Sequence, residues 1–157
     1  MSIYSYLHKD HERVKKSMRE IEHLDLSDEN IKSLFNQLKK ELKAHLEATE
    51  KVFYARLKKY DFLAESIERA KVEIQAVYQK LDELSDDALG EAEWHKRFLS
   101  LKQLLEGHFK KEEHEFFPMV AAVLDIETGL QMKNDMETEK ARIRKTFSTW
   151  YREPSLA

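Results

Sequence analysis

Glycine and proline are scarce in this chain, and that scarcity restricts it to long helices. Three glycines and two prolines occur in 157 residues, so few positions favour a tight turn. Between the turns, apolar side chains recur at three- and four-residue steps, which is the spacing of one face of an α-helix. The sequence therefore predicts an all-α protein. Its five helical segments are expected at about 3–22, 28–58, 62–84, 91–117 and 128–150.

The first four segments predict an up-down-up-down four-helix bundle. They are long and amphipathic, and short loops join them, so adjacent helices should run antiparallel around one core. The length fits a single domain spanning 1–157. The fifth segment has a weaker apolar stripe, and we expect it to pack across or beside the bundle or to form a dimer contact. That stripe comprises Leu130, Met132, Met136, Ile143, Phe147 and Trp150.

Charge and cysteine content limit the chemistry that the chain can support. The net charge is −3 with both signs mixed, and no basic block indicates a nucleic-acid partner. No apolar run of about 20 residues predicts a membrane span, and the charged N-terminus is unlike a signal peptide. A cytoplasmic protein, monomeric or homodimeric, is expected. Cysteine is absent, so a metal would be held by imidazole and carboxylate groups.

Three of the seven histidines fall on the inward stripes of three different helices. They are His11, His45 and His108, and Glu112 lies one turn after His108 on the same face. A lone histidine on such a stripe is more often a hydrogen-bonded core residue. Three buried imidazoles without partners would be costly, and a shared metal would remove that cost. Counting residues from the centre of the first loop, at a rise of ~1.5 Å per residue, places His11 and His45 about 9 Å apart along the helix axes. This separation does not favour a metal shared by the two side chains.

Three sequence segments resemble the hemerythrin-like, or HHE cation-binding, domain family. They are LHKDHERV in the first helix, HLEATEKVFY in the second and HFKKEEHEFFP in the fourth. The resemblance implies a four-helix bundle around a non-haem di-iron centre. Members of that family bind oxygen, respond to iron or redox state, or handle nitric oxide and peroxide. Carried over by position, the implied metal ligands are His11, His45, His108 and Glu112.

The chain departs from this family pattern at two positions. Where the family usually has a carboxylate, four residues after the second-helix histidine, this chain has Thr49, whose hydroxyl could instead hydrogen-bond a bound water or peroxide. The third helix contains no histidine, and Ile74 occupies the aligned position with Glu73 beside it. Glu73 is therefore predicted as a fifth metal ligand if it turns inward. Glu41, one turn before His45, is the other carboxylate that could compensate.

The sequence leaves three functional interpretations open. The first is a di-iron protein that binds or senses oxygen, nitric oxide or peroxide, or that holds iron; manganese or zinc would suit the same ligands. The second is a single metal between His11, His45, His108 and Glu112. The third is a degenerate bundle that acts as a non-catalytic interaction module. The expected partners are a metal ion and a diatomic or peroxide ligand, without nucleic acid or membrane, and whether the chain is an enzyme is left open.

Overall fold

Five long α-helices form the structure, which confirms the all-α prediction. The computed structural model describes the backbone of residues 1–156 and the side chains of residues 1–147. In the described part of the chain, no helix is both long enough and apolar enough to cross a bilayer. The helices are α1 (Ile3–Glu22), α2 (Asn30–Ala48), α3 (Ala64–Leu84), α4 (Glu91–Lys111) and α5 (Ile126–Leu156).

Two of these helices continue through a wider, π-helical turn. Helix α2 passes into the π-helical segment Thr49–Tyr54 and then the short α-helical turn Ala55–Leu57. Helix α4 passes into Glu112–Phe116 and then Phe117–Ala121. Such π turns are rare in proteins as a whole, and those that occur are often at functional sites.

The fourth helix continues through Pro118, although the sequence predicted that it ends at about residue 117. Pro118 lies in the first turn of Phe117–Ala121, directly after the π-helical segment. The first turn of a helical segment does not require every backbone N–H, so a proline is tolerated there.

The predicted inward stripes of α1 to α4 form the core. A short 3₁₀ turn, Asp61–Leu63, leads into α3 and contributes the buried Leu63. Complete burial of each such apolar side chain stabilises the fold by about 1.5–3 kcal/mol before the entropy cost. The fully buried stripe residues include Leu7, Met18, Leu42, Ile74, Val77, Leu81, Phe98, Leu101 and Leu105.

Helix α5 lies beside the bundle and packs against α1 and α2. Its stripe residues Met132, Met136 and Ile143 are buried, whereas Leu130 near its start is 40% exposed. A Cβ on Gly129 would lie 3.3 Å from Ile3 Cγ2, so a larger residue where α5 crosses the start of α1 would require the Ile3 side chain to shift by a few tenths of an ångström. The predicted stripe residue Trp150 lies beyond the described side chains.

The first two helices approach the connecting loop unevenly. Helix α1 ends eleven residues after His11, whereas α2 begins fifteen residues before His45. The loop absorbs this difference, and the two imidazole ring centroids lie 5.1 Å apart. The residue count from the sequence assumed that both helices end equally far from the loop centre. The axial separation that it gave for these two histidines was therefore wrong.

We expect that replacing Gly107 with Ala raises the free energy of unfolding by about 1 kcal/mol. Gly107 is exposed inside α4, and a Cβ placed there meets nothing within 4 Å. The gain comes from the lower backbone entropy that alanine has in the unfolded chain. Urea unfolding of the variant and of the wild-type protein measures this gain in the free energy of unfolding. A loss of stability would show that Gly107 is needed for the close approach of another group to α4.

Candidate metal centre

Three buried imidazoles from three helices meet in the interior of the bundle. His11 from α1, His45 from α2 and His108 from α4 are each no more than 3% exposed. Potential ligand atoms of His11, His45 and Glu112 lie within 4.8 Å of one another. Among the described residues this is the one group of three or more side chains placed to share an ion.

A carboxylate holds each imidazole through its Nδ1 atom. The distances from Nδ1 to oxygen are 2.6 Å for His11 to Glu113, 3.0 Å for His45 to Asp10 and 3.0 Å for His108 to Glu73. An ionised carboxylate only accepts hydrogen bonds, so each Nδ1 carries the proton that it donates. A neutral ring in that tautomer has its lone pair on Nε2, which is the arrangement of metal-binding histidines.

Glu112 lies between two of these imidazoles and is itself buried. Its Oε1 is 3.0 Å from His11 Nε2, and its Oε2 is 3.6 Å from His108 Nε2. The Tyr54 hydroxyl donates a hydrogen bond to Oε2. His11 Nε2 and Glu112 Oε1 face each other as an ion pair, and neither atom has a hydrogen-bond partner elsewhere. Buried polar atoms without partners are costly, and a cation between these two would satisfy both.

The charges of the site are strongly coupled. Burial opposes the charged form of Glu112, but His11, His108 and Tyr54 outweigh it and lower the pKa of Glu112 to about 2. Burial likewise opposes the His11 cation, yet Glu112 and Glu113 raise the pKa of His11 to about 9. His45 differs from His11, because burial dominates there and lowers its pKa.

Aromatic side chains exclude water from one side of the cluster. The ring of Phe109 stacks on His11 with centroids 4.0 Å apart, and the ring of Phe117 lies nearly parallel to His11 with its centroid 6.3 Å away. On the other side, a cavity of about 40 Å³ is lined by Tyr54, Glu73, His108, Lys111 and Glu112, among others. A cavity of that size holds about three or four water-sized atoms, since one water needs roughly 10–15 Å³.

The other sequence-predicted residues have different surroundings from those expected. Glu73 does not join the cluster: it accepts hydrogen bonds from His108 and from Lys111, and therefore orients a ligand instead of converging with it. Glu41 is exposed and pairs with Arg144. The Thr49 hydroxyl donates to the backbone carbonyl of His45 at 2.7 Å, so its proton is already used.

Sequence reasoning missed three contributors to the site, namely Asp10, Glu113 and Tyr54. Asp10 and Glu113 are direct neighbours of the predicted ligands His11 and Glu112, and an acid beside a predicted ligand could have signalled a role in the site. Tyr54 gave no such signal. Nine residues of regular α-helix span about 900°, which would place Tyr54 opposite His45. The π-helical segment Thr49–Tyr54 reduces that rotation and brings the hydroxyl to Glu112.

The free energy of unfolding of the metal-free protein is expected to peak near pH 6.5. The folded pKa of His11 is about 9 against an ordinary 6.5, so its contribution is complete below 6.5 and is lost as pH rises toward 9. The lowered pKa of His45 reduces stability as pH falls below its ordinary value. Glu112 and Glu113, both with pKa lowered to about 2 from 4.5, lose their contributions as pH falls from 4.5 toward 2.

Urea unfolding in the presence of a chelator, at steps from pH 4 to pH 9.5, measures this profile. The alkaline decline should be absent in a His11→Gln variant, because glutamine does not titrate. A parent protein that is equally stable at pH 6.5 and pH 9 would contradict the assignment of a raised pKa to His11.

Comparison with known proteins gives three findings. A family model described as the hemerythrin HHE cation binding domain matches residues 2–120. A solved hemerythrin HHE cation-binding domain-containing protein from Mycobacterium kansasii superimposes with a TM-score of 0.84 at 21% identity, covering 97% of this chain and 93% of that one. A DNA nickase from Nostoc sp. is 23% identical over 147 residues, which is 92% of this chain but 41% of the nickase.

Proposed function

We propose that this chain, which belongs to the hemerythrin HHE cation-binding domain family, holds non-haem iron at His11, His45, His108 and Glu112 and binds a small oxygen or nitrogen ligand there. One observation carries the proposal. His11 Nε2 and Glu112 Oε1 are buried 3.0 Å apart, and neither has a hydrogen-bond partner. The family is described as cation-binding, and these residues of the chain fit a cation.

The donor set suits iron. It consists of imidazole nitrogens and a carboxylate without thiolate, a combination that also suits manganese or zinc. Each imidazole has its Nδ1 proton bound to an acid, so the Nε2 atoms are the ones available to a cation. The carboxylate partners also raise the basicity of the rings and hence their affinity for metal.

The orientation of Glu112 favours two metal ions over one. Its two oxygens face different histidines, Oε1 toward His11 and Oε2 toward His108. If two ions were bound, His11 and His45 would hold one and His108 the other, and Glu112 would offer an oxygen to each. Tyr54 lies on the His108 side, where its oxygen is close to Glu112 Oε2.

A single metal ion is the alternative. The tight group of potential ligands contains His11, His45 and Glu112 but not His108. Thr49 supplies no carboxylate to the centre, and Glu73 is engaged with His108 and Lys111. These observations would be explained by one ion at the tight group, with His108 holding Glu112 in place.

When bound, iron supplies the redox chemistry toward oxygen, nitric oxide or peroxide. The cavity of about 40 Å³ beside Glu112 has room for a molecule of a few atoms. Phe109 and Phe117 keep water away from the His11 side. The Tyr54 hydroxyl holds a proton at the edge of the cavity, with its pKa raised well above the ordinary value by burial and by Glu112.

Metal analysis of protein purified from iron-supplemented cells, together with its near-ultraviolet and visible spectrum, tests the proposal. About two irons per chain with a charge-transfer band supports the di-iron centre, and about one supports the alternative. No bound metal, with no thermal shift on adding Fe²⁺, would overturn the proposal in favour of an interaction module. A His114→Ala variant should have the metal content of wild type, because His114 is exposed on the π-helical segment that carries Glu112.

A further inference from the structure

Lys140 is a buried lysine on α5, outside residues 2–120 that match the family. It is 4% exposed, and among the described side chains it is the one lysine or arginine that is buried. Its ammonium group lies 4.9 Å from the centroid of the Tyr6 ring. Burying a cation costs several kcal/mol unless it is paired, so its contacts are expected to be specific.

The partner of Lys140 is the carboxylate that holds His45. Lys140 Nζ lies 2.6 Å from Asp10 Oδ2, and the same oxygen accepts the hydrogen bond from His45 Nδ1 at 3.0 Å. The other oxygen of Asp10 accepts from Arg13 at 3.1 Å. Asp10 is therefore fixed from both sides, and Lys140 is connected to the metal centre through two consecutive hydrogen bonds.

Each of the other two imidazoles is also held by a carboxylate that has a second, basic partner, but that partner is exposed. Glu73, which holds His108, pairs with Lys111, whose side chain is 52% exposed. Glu113, which holds His11, pairs with His8, whose side chain is 51% exposed. Water and salt screen those outer groups, whereas the field of a buried charge is screened much less. Only the arrangement at His45 therefore places a poorly screened positive charge near the centre.

We propose that Lys140 is a positioning residue for the metal centre. By fixing Asp10 it holds His45 in the tautomer that presents Nε2 to a metal, and its buried charge raises the reduction potential of a metal bound there. The first part concerns the metal-free chain. The second part rests on the proposed function.

The positive charge of Lys140 acts on the reduction potential in two ways, and both raise it. A positive charge near the centre disfavours the more positive, oxidised metal. The same charge draws electron density from Asp10, which then raises the basicity of His45 less than an unpaired carboxylate would. A less basic imidazole stabilises the oxidised metal less. Removing the charge should therefore lower the reduction potential.

The positioning part is tested on metal-free protein by ¹⁵N–¹H correlation spectroscopy of the histidine rings. Wild-type His45 should carry its proton on Nδ1. In Lys140→Met, which keeps the length and apolar stem without the ammonium, His45 should populate both tautomers. Lys140→Gln can still donate to Asp10 and should retain the wild-type tautomer. A wild-type His45 protonated on Nε2 alone, or a Lys140→Met spectrum identical to wild type, would overturn this part.

The charge part is tested on iron-loaded protein by redox titration. Lys140→Met and Lys140→Gln should each shift the equilibrium toward oxidised iron at least tenfold, which is about 59 mV for one electron. Lys140→Arg, which restores the charge, should return the potential to within threefold of wild type. Lys111→Met removes the corresponding exposed cation from Glu73 and should change the equilibrium less than threefold.

The possible failures can be told apart. Potentials that are unchanged in both neutral variants would overturn the charge effect. If Lys140→Met does not fold, Lys140→Gln decides the charge effect and the wild-type spectrum decides the tautomer. Wild-type protein that takes up no iron would contradict the proposed function and with it the charge effect, while the tautomer measurement would still decide the positioning part.

Discussion

Replacing Glu112 with Ala should reduce the metal content of the purified protein at least tenfold. Glu112 is the one carboxylate in the tight ligand group, and its two oxygens face His11 and His108. Without it the remaining donors are neutral imidazoles, which provide no negative charge to offset that of the cation. Quantifying bound iron after purification from iron-supplemented cells measures the loss.

The same substitution should lower the free energy of unfolding of the metal-free protein by about 3–5 kcal/mol, the usual cost of removing one partner of a buried ion pair. The His11 cation is buried against Glu112, and Glu113 alone would remain to stabilise it. Tyr54 would also lose its acceptor. Chemical unfolding in the presence of a chelator measures this loss.

Glu106→Ala is the matched control for both measurements. Glu106 is exposed on α4 and pairs with Lys102 at 3.7 Å, so its removal should change stability by less than about 1 kcal/mol. Glu112→Ala protein with the metal content of wild type would show that the cation is held elsewhere.

The stripes of α1 to α4 could be predicted because helical periodicity is a local property. Residues three and four apart share a face wherever the helix is regular, and Leu7, Leu42 and Phe98 are buried as that spacing requires. The same rule placed His11 and His108 inward. It could not reveal the π-helical segments, because these depend on how neighbouring helices pack.

The carboxylates that hold the histidines were harder to predict, because each comes from a different helix or from a position beside the stripe. Asp10 on α1 holds His45 on α2, and Glu73 on α3 holds His108 on α4. A sequence gives the face of each acid but not the distance to a ring on another helix. Lys140 is a similar case, since a lysine on a weak stripe is normally assigned to the surface.

Removing the Tyr54 hydroxyl, in a Tyr54→Phe variant, should lower the free energy of unfolding of the metal-free protein by about 1.5–3 kcal/mol, the usual contribution of a hydrogen bond to a charged group. The ring is 1% exposed and packs against Phe53 and Phe116, and phenylalanine preserves that packing. The loss therefore reports the hydrogen bond to Glu112. Chemical unfolding with a chelator present measures it.

Tyr4→Phe provides the matched control for this hydroxyl. Tyr4 is a half-buried tyrosine whose ring contacts Phe117, but its buried hydroxyl has no hydrogen-bond partner. Deleting a buried hydroxyl without a partner removes a desolvation cost, so Tyr4→Phe should be neutral or stabilising. Equal losses in the two variants would show that the Tyr54 hydroxyl contributes through packing alone. A loss confined to Tyr54→Phe would instead show that the hydrogen bond to Glu112, which the π-helical turn of α2 positions, stabilises the metal-free fold.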